Sequence, residues 1–157
     1  MSNYITSNFS NLIFSCSVPS QWHMEHRVPD HCVVFVRQGK LLISDKGRTE
    51  EIPAGSCVFL KKDCSVRLVK ASFAGKNYEG LNIRLPQNIL EDYFQRHLKN
   101  NEFPQDFTGL SNCFMRLNRT LCLQGLLSSI ILFVEEGQDP GQEMTELKVE
   151  ELILDLL

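Results

Sequence analysis

Gly47-Arg48-Thr49-Glu50-Glu51-Ile52-Pro53-Ala54-Gly55-Ser56-Cys57-Val58-Phe59-Leu60-Lys61-Lys62 carries the clearest fold signal in the chain. A glycine is followed by five residues, then Pro-x-Gly, then the apolar run Cys57 to Leu60. Pro53 to Gly55 is a tight turn, because Pro presets φ and Gly accepts a positive one. The apolar run behind it is a strand.

On either side of this stretch, short apolar runs alternate with turn signals over the first 85 residues. Leu12 to Val18 is a strand. Cys32 to Val36 and Leu41 to Ser44 flank the hairpin turn Arg37-Gln38-Gly39-Lys40, and Asp45-Lys46-Gly47 supplies the next turn. Ser65 to Val69 alternates, with Val66 and Leu68 on one face and Arg67 on the other. Tyr78 to Leu85 closes the series. Trp22 to His31 contains Pro29 and no strand or helix pattern, so it is expected to be a loop. Met1 to Ser10 is a polar arm. Many short strands at regular spacing predict a sandwich or barrel.

The period then changes from two to 3.6. Pro86 opens a helix over about 86–99, with Leu90, Tyr93, Phe94, His97 and Leu98 on one face. Asn100 to Asn112 is a connecting segment. A second helix runs from about Arg119 to Glu136. Its stripe is Leu123, Leu126, Leu127, Ile130 and Val134, widened by Ile131, Leu132 and Phe133. A helix so apolar is buried on more than one face. Gly137 is its expected stop. Asp139-Pro140-Gly141-Gln142 has the pattern of an N-cap with Pro in the first turn. The last stripe is Val149, Leu152, Ile153, Leu156 and Leu157, while Glu143, Glu146, Glu150 and Asp155 are solvated. The chain stops inside this stripe, and a longer protein is expected to continue past Leu157.

Apolar residues make up 43% of the 157 residues and charged ones 22%, values of a globular chain. No run approaches the roughly 18 apolar residues of a membrane helix. No signal peptide is apparent at the N-terminus, and a cytoplasmic protein is expected. With a net charge of −3 and no basic stripe, this chain is not expected to bind nucleic acid by itself. The six cysteines, Cys16, Cys32, Cys57, Cys64, Cys113 and Cys122, form no C-x-x-C pair. Their even number allows a disulfide framework, but free thiols packed as small hydrophobes are the expectation for a cytoplasmic chain.

Catalytic patterns are weak. His23, His26 and His31 fall in one stretch, but a metal needs three or four ligands held by stiff elements. The plainer reading is histidines that cap backbone groups or face solvent. His97 sits on an apolar stripe and is read as a core histidine. No G-x-S-x-G occurs, and Cys32 is read as core although His31 precedes it. Glu50-Glu51, Glu135-Glu136 and Glu150-Glu151 are adjacent pairs that cannot converge on one point. Lys61-Lys62-Asp63 is a solvated turn. Asn118-Arg119-Thr120 matches a glycosylation sequon that a cytoplasmic chain would not present to the machinery.

The G-x5-P-x-G stretch resembles the second motif of cupin β-barrels. In metal-binding cupins a His stands where this chain has Val58. Counting back from Gly39, His26 falls on the first His of the other motif, Val28 on the second and Cys32 on the Glu. One of four ligand positions is kept, so the resemblance implies the fold without its metal, and no cofactor is expected.

The order of elements is similar to the N-terminal regulatory domain of AraC-type bacterial transcription factors. Three stretches carry it: Pro29 to Leu41, Ile52 to Lys62, and Leu147 to Leu157, the last resembling activators of type III secretion genes. The resemblance implies a mostly β fold with C-terminal α, a cupin-like double-stranded β-barrel followed by a helical dimerisation segment. Residues 1–108 would hold the barrel and connecting helix. Residues 109–157 would be the dimerisation segment, cut before a helix-turn-helix DNA-binding domain. Such a domain is not an enzyme. It forms a homodimer and receives a small-molecule effector or a regulatory protein. A ligand would be lined by Val34, Leu42, Phe59, Leu68 and Leu81. The dimer would use Leu123, Leu126, Leu127, Ile130 and Val134 with Leu152, Ile153 and Leu156. The alternative is a small metal-poor cupin enzyme or a stand-alone sugar- or metabolite-binding cupin.

Overall fold

The computed structural model describes residues 5–19, 21–97 and 112–156. The described residues hold ten strands: β1 Ile5–Phe9, β2 Ile13–Val18, β3 Trp22–Arg27, β4 His31–Gln38, β5 Lys40–Asp45, β6 Arg48–Pro53, β7 Cys57–Leu60, β8 Ser65–Ala71, β9 Tyr78–Leu85 and β10 Phe114–Arg116. Helix α1, Gln87–His97, separates the last two strands; α2, Leu121–Glu136, and α3, Gln142–Leu156, follow. Leu98, most of the connecting segment, Met1 to Tyr4 and Leu157 lie outside the described residues, as do the side chains of His26 and His97.

The strands form two antiparallel sheets, one of six in the order β1-β2-β9-β4-β7-β10 and one of four in the order β3-β8-β5-β6. The expected mostly β body with C-terminal helices is what the structure shows. β4 and β7 sit centrally in the larger sheet, and their apolar runs are buried on both faces. One face looks toward the smaller sheet. There Val34, Val36, Val58 and Leu60 pack with Leu41, Ile43, Ile52 and Leu68. The opposite face carries Val33, Phe59, Leu81 and Ile83, and all three helices pack in that second core.

Gly39 joins β4 to β5 at φ 78°, and a Cβ there would lie 2.6 Å from the Ala71 carbonyl oxygen and 2.8 Å from the Tyr78 Cα. Only glycine satisfies both demands. The hairpin turn expected from Gly39 is thus also a point where four strands, β4, β5, β8 and β9, meet.

Four expectations change. Trp22–Arg27 is not a loop but strand β3, paired along its length with β8. Its alternation is short in the sequence, because apolar residues stand only at Trp22 and Met24 before the polar pair His26-Arg27. The polar arm carries β1, an edge strand on β2 from Ile5↔Cys16 to Phe9↔Ile13. The last helix starts at Gln142, later than the Asp139 cap predicts, because the Asp139 carboxylate accepts the Gly141 N–H at 2.9 Å and closes a local turn instead. Cys64 and Cys113 are joined in a disulfide, with Cα atoms 5.5 Å apart, whereas Cys16, Cys32, Cys57 and Cys122 are free. Pairing of β10 with β7, Phe114↔Leu60, is what brings Cys113 to the β7–β8 turn.

Candidate functional site

The residues expected to line a ligand cavity do not converge. Val34 and Leu68 point between the sheets, into a space filled by fully buried side chains. Phe59 and Leu81 lie on the opposite face, under the helices. Leu42 is half-buried, on the reverse of β5 from Leu41 and Ile43. The cause is period two: a set chosen across strands mixes the two faces unless every register is known.

The expected dimer stripe is also largely used within the chain. Leu123, Leu126, Leu127 and Ile130 of α2, and Leu152 and Ile153 of α3, are buried against the outer face of the six-stranded sheet. Val134 and Leu156 pack partly against the same core. The apolar side chains left outward are Leu121 and Leu132 on α2, and Met144, Leu147 and Leu154 on α3.

The positions aligned with the metal ligands of related barrels, and His31 beside them, have other roles. Val58 is fully buried between the sheets. His31 is buried, its Nδ1 accepts the Lys62 N–H at 2.9 Å, and its ring stacks on Phe59. That is the backbone-capping role read from the sequence. Burial, and then the neighbouring Lys62 and Lys61, hold its pKa below the usual histidine value. Burial pushes the Cys32 thiol up to about 12, so it stays protonated. Among the described residues no three His, Cys, Asp or Glu side chains are grouped to hold a metal ion.

One groove stands out, between the larger sheet and α2. β10 pairs with β7, and the Leu117 N–H continues that edge by donating to the Cys57 carbonyl at 3.0 Å. The chain is thereby led past the Pro-x-Gly turn into α2, whose N-cap is Thr120: its hydroxyl accepts the Leu123 N–H at 3.1 Å. Arg119 is carried over Gly55, and a Cβ on that glycine would lie 3.2 Å from the guanidinium Nη1. Gly55, at φ 88°, therefore serves both the turn and the groove. Phe35 and Cys57 come from the sheet; Leu123, Leu127 and Ile131 form the α2 wall; Gln124 and Ser128 stand at the rim. The cavity measures about 90 Å³. Desolvation pushes the Cys57 thiol up to about 12, partly opposed by Arg119, so this sulfur is not a nucleophile at neutral pH. A guanidinium beside apolar walls is an arrangement that can bind a ligand.

Sequence reasoning missed Arg119, Gly55, Cys57 and Gln124 as one site. In the sequence Arg119 stands in a sequon and at the expected start of the second helix, and nothing local ties it to the Pro-x-Gly turn.

Residues 31–157 match the family model of the ExsA N-terminal regulatory domain. The chain belongs to that family. It is the regulatory domain of AraC-type activators of type III secretion, and the alternative of a small cupin enzyme is not favoured. Solved structures similar to this ExsA-type domain include ToxT of Vibrio cholerae. An apo variant of ToxT superposes with a TM-score of 0.63 at 13% identity, covering 92% of this chain and 54% of that one. Wild-type ToxT bound to an unsaturated fatty acid gives 0.62 at 14% identity, covering 90% and 50%. ToxT bound to (E)-4-(8-methylnaphthalen-1-yl)but-3-enoic acid gives 0.56 at 14%, covering 92% and 54%. These likenesses concern the fold, and the ExsA-type chain spans about half the length of the ToxT chains. No curated protein matches by sequence. Among the described residues of this ExsA-type domain, no helix is long and apolar enough to cross a membrane.

Proposed function

We propose that this ExsA-type domain receives a small-molecule signal and passes it, as a homodimer, to a helix-turn-helix DNA-binding part of the same regulator. The observation that carries the reading is the double role of α2. Its inner stripe shares one core with the sheet, and Glu135 near its end accepts from Arg37 of β4 at 2.9 Å. Its outer side presents Leu121 and Leu132, 84% and 57% exposed, with Gly125 open between them. Positions 121, 125 and 132 lie on one helical face, where a second copy can approach closely. A change in how the sheet holds α2 would therefore reach the subunit contact directly. Two ToxT structures that share the fold hold acids with apolar bodies, which supports a small molecule as the signal.

The test is the size of the chain in solution by sedimentation equilibrium. A dimer is expected, and Leu132→Glu, which places a charge on the exposed face without touching the core, is expected to give monomers. A wild-type chain that stays monomeric at high micromolar concentration, or a Leu132→Glu variant that dimerises equally well, overturns the reading.

A further inference from the structure

We propose that the groove between the Gly55 turn and α2 binds a small monocarboxylic acid, with its carboxylate on Arg119 and its apolar body between Phe35, Leu123 and Ile131. The inference deepens the regulatory reading and rests on it.

Charge is the first argument. Among the described residues, Arg119 has no acidic side chain within ion-pair distance. The acid one turn beyond Ile131 on α2, Glu135, is already held by Arg37. Arg116 stands opposite Val58, on the other face of the sheet, where its Nη2 donates to the Ser56 hydroxyl at 3.0 Å, so the cation of the groove is Arg119. A cation without a carboxylate partner favours an anion, and a guanidinium offers a carboxylate two parallel donors. Cys57 remains a neutral thiol and sets no opposing charge beneath it.

Size and lining are the second argument. The cavity of about 90 Å³ is smaller than the roughly 150 Å³ cavity that takes up benzene. A short aliphatic chain or the edge of one ring fits, with the carboxylate in the open mouth. Phe35, Leu123, Leu127 and Ile131 supply hydrocarbon to the lining beside the polar Arg119, Gln124 and Ser128, the mixture a small-molecule site uses. The space between the sheets is packed by Val34, Val36, Val58 and Leu60.

Position is the third. One wall is the sheet and the other is α2, whose far side is the proposed subunit contact. A body wedged there changes the spacing between them.

Hexanoate and benzoate titrated against the whole chain test the proposal, read by methyl NMR and by thermal shift. Saturable binding is expected, with shifts at Leu123, Leu127 and Ile131. Hexylamine and hexanol should give none at the same concentration. Arg119→Gln should weaken hexanoate binding by about tenfold or more, the worth of one charge-assisted hydrogen bond. Gln124→Phe, which fills the rim from a half-buried position, should block it. Three results overturn the site: no saturable binding up to about 10 mM, a range that still detects very weak ligands; equal affinity in Arg119→Gln; or shifts confined to residues between the sheets such as Val34 and Leu68. Any of these leaves the Leu132→Glu measurement standing. A monomeric chain that still binds hexanoate at Arg119 would instead remove the regulatory reading and keep the site.

Discussion

The Nδ1 of His31, at the first position of β4, accepts the backbone N–H of Lys62 at 2.9 Å, and so ties that strand to the turn after β7. The bond exists only while His31 is neutral at that nitrogen. Burial and the two lysines lower its folded pKa below the ordinary 6.5. In the window between the two values the unfolded chain holds more protons, so stability rises with pH. The contribution is complete above the unfolded value and is lost as pH falls through the lowered folded one. Urea midpoints taken from pH 7.5 down to 5 should decline, and His31→Leu should remove part of that slope. A slope unchanged in the variant would assign the acid sensitivity to other groups.

Tyr78 is fully buried between the sheets, and its hydroxyl has no hydrogen-bond partner among the described residues. Burial raises its pKa, so the phenol stays protonated. A buried polar group without a partner costs stability, and removing it leaves nothing else unpaired. Tyr78→Phe is expected to be more stable by about 1 kcal/mol. A clear loss of stability on urea denaturation would mean that the hydroxyl is bonded in solution.

Gly39→Ala tests the strand junction. Positive φ and a backbone oxygen 2.6 Å from the new Cβ act together. The expected loss exceeds about 1 kcal/mol, the scale for alanine at a positive φ alone. Chemical denaturation measures it, and a neutral substitution would refute the close approach to Ala71 and Tyr78.

Leu126 is 1% exposed on the inner side of α2. Leu126→Ala should destabilise the fold by about 2–5 kcal/mol through the cavity it leaves. Its dimer affinity, measured under folded conditions, should change far less than that of Leu132→Glu. The reverse ranking would return the subunit contact to the inner stripe.

The Cys64–Cys113 disulfide closes a loop with a sequence separation of 49. On the chain-entropy account such a loop is worth about 4 kcal/mol. Dithiothreitol should lower the unfolding midpoint accordingly, and Cys64→Ser should lower it to the same level and abolish any further effect of reductant. An unchanged midpoint in the wild type would show that the pair is not oxidised in solution.

Much of the barrel was legible because its central strands announce themselves. Cys57–Leu60 falls where its apolar run and flanking turns place it, since a strand covered on both faces is apolar throughout, and Tyr78–Leu85 falls where Leu81, Ile83 and Leu85 alternate with Asn82 and Arg84. The edges were not. In β6 only Ile52 is buried, and in β3 half the side chains are polar and face water, so period two is masked by charge. β10 is three residues long and is a strand only because β7 is there to pair with it.

The order of amino acids is enough to read a β-barrel of the cupin type without its ligand set, followed by strongly apolar helices. Val58 in place of a coordinating residue needs no coordinates to be read. Family kinship is legible in the same way, because turn glycines and strand order are local signals. Which face each apolar residue serves is settled only by packing in three dimensions. Leu123 and Leu127 bury inward on the sheet while Leu132 stays outward, and periodicity cannot distinguish a helix face that meets its own sheet from one that meets a partner. Packing also brings Arg119 over Gly55. That contact depends on a long-range strand pair, and no local pattern encodes it.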